Sequence, residues 1–238
     1  MRDFLKRTVQ IGYGAIRAGR NLTFAFVFSA AGFSGAARAE PVQIVALGDS
    51  LTAGYGLNEG EGLVPQLQLW LDGQGAEAVV QNAGVSGDTT AGGLARVDWA
   101  LGPDADALIV TLGGNDMLRG LPPEEVRRNL SAILEVAAGR GLPVLLVPMK
   151  APSNWGADYK TAFDAIYPEL AAETGAILAP EFFSGLMAEG ADPSDPASMG
   201  AWMQADGIHP NAQGVKLIVA ALGPAVLELI AAAQDGAP

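Results

Sequence analysis

The 238-residue chain contains no cysteine. That excludes disulfides, thiolate metal sites, a cysteine nucleophile and a lipid-modified N-terminal cysteine. Histidine is almost as scarce, since His209 is the only one. With one imidazole and no thiol, a metal centre lacks its usual ligands. Asp192 and Asp195 could touch a cation, but within "GADPSDPASMG" (190–200) they read first as part of a solvated loop. Past residue 39 basic residues are few: 8 Lys and Arg stand against 25 Asp and Glu, a net charge of −17. Such a surface repels nucleic acid and anionic lipid head groups. Gly-x-Gly-x-x-Gly and Walker patterns are missing, so nucleotide binding has no support. Gly-x-Ser-x-Gly, the nucleophile signature of α/β-hydrolases, is missing too. No cofactor, no metal and no nucleic-acid partner is expected.

A run apolar enough to span a bilayer is also not expected after residue 39. Before it, Arg2, Lys6, Arg7, Arg17 and Arg20 precede the apolar "LTFAFVFSAAGF" (22–33), and "ARA" (37–39) closes the segment. Basic, then apolar, then Ala-x-Ala is the order of a cleavable secretory signal. Residues 1–39 are therefore expected to be a signal peptide cut after Ala39. Residues 40–238 are expected to form one domain, exported to the periplasm or medium, without a stable membrane anchor and acting as a monomer. Half the residues of the whole chain are apolar, so a core can replace the disulfides it cannot make.

Five apolar runs read as strands: 42–47, 78–82, 107–112, 143–147 and 176–179. Helix-like stretches at 63–72, 91–100, 124–139, 158–174 and 211–233 separate or follow them. Strand and helix in alternation imply an α/β fold, a five-stranded parallel sheet covered on both faces. There is no internal repeat and no low-complexity linker.

Several strand ends carry unusual residues. Gly48-Asp49-Ser50 follows the first run, "NAGVSGDTT" (82–90) the second and "GGND" (113–116) the third, while "DGIHP" (206–210) precedes the last helix. In open α/β sheets ligands bind outside the carboxyl ends of the strands, so the four segments converge on one crevice. Serine is a weak nucleophile until a base takes its proton. Ser50 is the candidate nucleophile and His209 the one imidazole that can act as base. Asp206, three residues earlier, can accept the other ring N–H. Read singly, each has a plainer role, Asp206 as a turn aspartate and His209 as a surface histidine; together they favour chemistry. An oxyanion hole needs donors aimed at developing charge. The candidates are the Ser50 N–H, the Gly84 N–H and the Asn115 side-chain amide. Asp88 and Thr89 read as helix caps and Asp116 as structural.

"GDSLTAGYGL", "NAGVSGDTT", "GGNDMLRGLPPEE", "APSNWGADYKTAFDAIYPELA" and "DGIHPNAQGVKLI" resemble the SGNH, or GDSL, hydrolase family, and within it the secreted bacterial thioesterase I, lysophospholipase L1 and arylesterase branch. The resemblance covers roughly residues 42–225. It implies a three-layer α/β/α flavodoxin-like fold and a serine esterase with nucleophile Ser50, acid Asp206, base His209 and oxyanion donors Ser50, Gly84 and Asn115. Acyl esters and thioesters are the implied small-molecule substrates, and aryl ester, acyl-CoA and lysophospholipid remain alternatives. A non-catalytic acyl-binding protein on the same scaffold is the contrasting possibility, which would leave a base without a purpose. Tyr55, Leu57, Met117, Leu118, Leu121, Trp155 and Ile208 could line an acyl pocket or belong to the core. "SNWG" (153–156) is a segment where the aromatic could tune acyl preference.

Overall fold

Aliphatic runs become strands where a sheet can bury them on both faces. In the computed structural model, which describes residues 40–192 and 195–236, these are β1 (Val42–Gly48), β2 (Ala78–Gly84), β3 (Ala107–Thr111), β4 (Val144–Leu146) and β5 (Ile177–Leu178). The leader assigned to residues 1–39 lies outside the described residues. The strands are all parallel, in the order β2-β1-β3-β4-β5. Ile44, Leu47, Leu108, Val110, Leu145 and Leu146 have no exposed surface. Each such burial contributes about 1.5–3 kcal/mol, which is how a cysteine-free chain is held. At the sheet edge, β2 exposes Val79 and Gln81 and buries Ala78 and Val80, as an edge strand must.

The helices are α1 (Ser50–Ala53), α2 (Leu63–Gly73), α3 (Thr90–Leu101), α4 (Gly114–Leu118), α5 (Pro123–Gly139), α6 (Ala157–Thr174), α7 (Ser184–Ala188), α8 (Pro196–Met199) and α9 (Ala212–Asp235), with a 3-10 turn at Ser153–Trp155. α9 packs on α2 and α7, while α5 packs on α3 and α6. Thr89 caps α3, its hydroxyl accepting from the Gly92 N–H, and Asn211 caps α9. Asp195 caps α8 by accepting from the Ala197 N–H. The five long helices and five strands fall where the apolar pattern put them. The strand reading needs trimming: β3 stops at Thr111 and β4 starts after Pro143, which has no N–H to donate. A second correction concerns α9, which is long and apolar enough to cross a bilayer. Half of its apolar window is buried inside the protein, as in a core helix.

Register positions the site. Gly48 pairs with Gly84 on one side and Thr111 on the other. Three neighbouring strands thus end on one line. The crossovers after β1 and β3 leave in opposite directions there, opening a crevice at the switch point.

Candidate active site

The turn out of β1 depends on a glycine. A Cβ on Gly48 would fall 2.0 Å from the Thr52 hydroxyl, so no larger residue allows the chain to fold so tightly into α1. Asp49 caps that helix, its Oδ1 accepting from the Leu51 N–H at 3.0 Å. Ser50 is its first residue. First-turn N–H groups have no intrahelical acceptor, and the Ser50 N–H finds none among the described residues.

His209 reaches Ser50 from 159 positions away, with Nε2 2.8 Å from Ser50 Oγ. Its Nδ1 lies 2.7 Å from Asp206 Oδ2. Asp206 Oδ1 accepts the N–H groups of Ile208 (2.9 Å) and His209 (3.0 Å). These backbone donors, with the ring N–H, hold the Asp206 carboxyl down at about 2. An ionised carboxylate only accepts, so Nδ1 carries the proton and Nε2 of the neutral ring is left to accept from the serine hydroxyl. The loop is fastened by Gln204, whose Nε2 donates to Tyr55 O (2.8 Å) and Pro210 O (3.0 Å) and whose N–H donates to His209 O.

Asn115 leaves the end of β3 on α4. Its Nδ2 donates to Asp49 Oδ2 at 3.1 Å. Burial pushes the Asp49 carboxyl up to about 6, against the opposing pull of the Leu51 N–H and the Asn115 amide. The segment around Asn115 is braced from both ends by α6: the Tyr167 hydroxyl donates to Leu112 O (2.9 Å) and the Tyr159 hydroxyl to Leu121 O (3.0 Å). Asp116 is structural, as expected. It is fully buried and accepts from the Thr90 N–H (2.9 Å) and hydroxyl (2.6 Å), tying α4 to α3.

Gly84 departs from the role expected of it. Its N–H donates to Asn82 Oδ1 at 2.9 Å rather than standing free. Its lack of a side chain serves packing, since a Cβ would fall 2.3 Å from the Ala53 nitrogen. Among the described residues the N–H groups of Ser86, Gly87 and Thr89 in this loop have no acceptor, and Gly87 is the glycine among them. It sits at φ 85 in the turn closed by the Asp88 N–H to Val85 O bond. Arg119, just past α4, donates to Gly87 O at 2.8 Å and so ties the turn to the Asn115 segment. Asp88 is a partner for Arg96 rather than a cap (2.7 Å). Arg96 also donates to Ala83 O (2.8 Å) and Gly48 O (2.9 Å), clasping the ends of β2 and β1.

The suggested pocket residues separate into three groups. Tyr55 places its ring 4.7 Å from that of His209, and Ile208 is exposed beside it. Trp155 lies over Gly120, next to Leu121, with Leu118 exposed nearby in sequence. Leu57 and Met117 are partly buried and pack on the core. Arg96, Gln204 and Asp49 carried no spacing signal of their own. Only their contacts with distant backbone show what they do.

Ser50, His209 and Asp206 thus form one hydrogen-bonded chain beside free or partly free N–H groups, a geometry suited to acyl transfer through serine. Residues 46–217 match the GDSL-like lipase/acylhydrolase family. The chain is 39% identical over 168 residues to esterase TesA of Pseudomonas aeruginosa, covering 70% of this chain and 79% of that one. It is 37% identical over 169 residues to thioesterase 1/protease 1/lysophospholipase L1 of Escherichia coli K12, covering 71% and 75%. The crystal structure of AlinE4, an SGNH-hydrolase family esterase, superposes with a TM-score of 0.63 at 46% identity, over 79% of this chain and 96% of that one. This chain therefore belongs to the GDSL-like lipase/acylhydrolase family and is a carboxylic ester hydrolase of the SGNH type.

Proposed function

We propose that the protein is an exported serine esterase that cleaves acyl esters, and acyl thioesters as well, through an acyl-enzyme on Ser50. The observation that carries this reading is the unbroken contact Asp206–His209–Ser50, at 2.7 and 2.8 Å. Ser50 Oγ attacks the acyl carbonyl while its proton passes to His209 Nε2. Charge builds on the carbonyl oxygen, within reach of the Ser50 N–H, the second Asn115 Nδ2–H and the Gly87 N–H. Collapse breaks the bond to the alcohol or thiol, which leaves with the proton from His209. A water molecule then gives its proton to His209 and attacks the acyl carbonyl. The second collapse releases the acid, and Oγ regains its proton. Asp206 stabilises the imidazolium in both steps.

The acyl chain lies along Tyr55, Leu118, Leu121, Trp155 and Ile208, with Leu57 and Met117 behind them. The similarity to an enzyme named for both thioesterase and lysophospholipase activity supports acceptance of thioesters. The Ala37-Arg38-Ala39 ending of the basic-apolar leader supports export, with a mature chain that starts at Glu40.

A serine-directed phosphonate should add one adduct, on the peptide that holds Ser50. A series of nitrophenyl esters and acyl-CoA thioesters of rising chain length should then be hydrolysed by the wild type and not by Ser50→Ala. Labelling at another serine, or turnover by Ser50→Ala, would overturn the proposal. Activity on the esters alone would remove only the thioester part.

A further inference from the structure

Asp49 takes no part in the bond-making steps, yet it is 3% exposed and lies between α1 and Asn115. As a helix cap it needs no negative charge, because asparagine caps as well as aspartate. Burial of a carboxylate is unfavourable, so an amide at this position would be the more stable choice. What an amide cannot do is accept two hydrogen bonds on two separate atoms, because it has one acceptor oxygen. Asp49 accepts the Leu51 N–H on Oδ1 and the Asn115 amide on Oδ2. The second contact settles which end of the Asn115 side chain is nitrogen, since an ionised carboxylate cannot face the amide oxygen.

We infer that Asp49 is a positioning residue for the oxyanion hole: by accepting one Nδ2 hydrogen of Asn115, it presents the other, and not the amide oxygen, to the reacting carbonyl. This rests on the reading of Asn115 as an oxyanion donor. In Asp49→Asn the new amide serves either Leu51 or Asn115. If its oxygen caps α1, its NH2 faces Asn115, whose amide turns over and points oxygen at the developing negative charge. The other groups that bear on Asp49 are His209 from the loop before α9, Asp116 on α4 and the hydroxyl of Tyr167 on α6. Asp116 is bonded to Thr90 and the Tyr167 hydroxyl to Leu112 O, so neither takes over the contact with Asn115.

The test is a double-mutant cycle on one nitrophenyl ester. Asp49→Asn should lower kcat by about 10²–10³, with KM changed less than about threefold, as losing one oxyanion donor does. Asn115→Ala should cost the same order. In the Asn115→Ala background Asp49→Asn should cost less than about threefold, because its effect runs through the missing amide. An equal loss in both backgrounds would mean a structural role and overturn the inference, as would wild-type kcat in Asp49→Asn. Wild-type kcat in Asn115→Ala would instead show that the oxyanion reading of Asn115 has failed. Should Asp49→Asn not fold, the His209→Ala protein provides a second measurement, since it has no imidazole left to titrate. The Asn115 side-chain NH2 resonances, identified by their loss in Asn115→Ala, should shift as Asp49 titrates between pH 4 and 8. A titration of the Asp49 carboxyl, followed by its own resonance, that leaves the Asn115 NH2 resonances unmoved would overturn the inference.

Discussion

The two halves of the site are built in different ways. Ser50, Asp49 and Asn115 leave the sheet directly from β1 and β3, so the core that buries those strands also fixes them. Asp206 and His209 sit on a loop before α9, fastened by Gln204 and by turn hydrogen bonds to Asp206 Oδ1. The aspartates of the two halves respond in opposite senses. Asp49, 3% exposed, is pushed up to about 6 by burial. Asp206, whose side chain is 37% exposed, is drawn down to about 2 by two backbone N–H groups and the imidazole. Desolvation dominates where the sheet holds the residue, and hydrogen bonding dominates where the loop does. Near water, then, a few turn donors are enough to keep the partner of His209 charged, whereas in the buried half burial works against the charge.

The largest effect should come from the loop half. Asp206→Asn should lower kcat by about 10³–10⁴, because an amide favours the wrong ring tautomer. The melting temperature should fall only slightly, since the side chain is 37% exposed and the asparagine oxygen can still accept the two turn N–H groups. A large drop in melting temperature with modest loss of rate would show that the loop is structural instead. In the wild type, Asp206 contributes stability that is complete above the ordinary aspartate range. It is lost as pH falls through about 2, the sign set by its lowered value.

Asp49 should show the opposite sign. Its raised value means that the folded protein holds more protons than the unfolded chain between about pH 4 and 6. Wild-type stability relative to Asp49→Asn should therefore fall as pH rises through that window, by roughly 3 kcal/mol. Chemical denaturation at pH 4 and pH 7.5 reads this directly, and a pH-independent difference would contradict the burial argument.

Smaller effects test the fastenings of each half. Arg96→Ala removes three hydrogen bonds donated to Asp88 Oδ2, Ala83 O and Gly48 O by a side chain 18% exposed. It should cost about 2 kcal/mol of stability and slow kcat about tenfold, with Arg96→Lys recovering part of both. Gln204→Ala, in the loop half, should cost about 1 kcal/mol. Its kcat should fall severalfold with little change in the rate-limiting chemistry's substrate preference, because His209 is less firmly placed. Denaturant midpoints and initial rates on one ester separate the two variants. Equal losses would erase the contrast between the halves.

Much of this was legible from the residues alone. Strand runs buried on both faces read as continuous apolarity, and long helices announce themselves by period and cap, as Asn211 does for α9. Ser50, Asp206 and His209 stood out because one histidine leaves no choice of base. The candidate oxyanion loop was harder. Gly84 and Gly87 both lie in "NAGVSGDTT", and which N–H is unused depends on where the Asn82 side chain turns. Short helices such as α1 and α4 span too few residues to show a period.

Residue type and period-two or 3.6-residue patterning were enough for the layer order, for the candidate nucleophile and base, and for the chemistry that a cysteine-free, single-histidine chain is limited to. How distant groups share hydrogen bonds comes from the three-dimensional fold. Arg96 clasping β1 and β2, Gln204 bridging Tyr55 to Pro210, and Asp49 dividing its oxygens between Leu51 and Asn115 are each set by three-dimensional proximity. A hydrogen bond depends on direction and on separations of about 3 Å. Neither quantity leaves a mark on the order of residues 66 positions apart, the distance along the chain from Asp49 to Asn115.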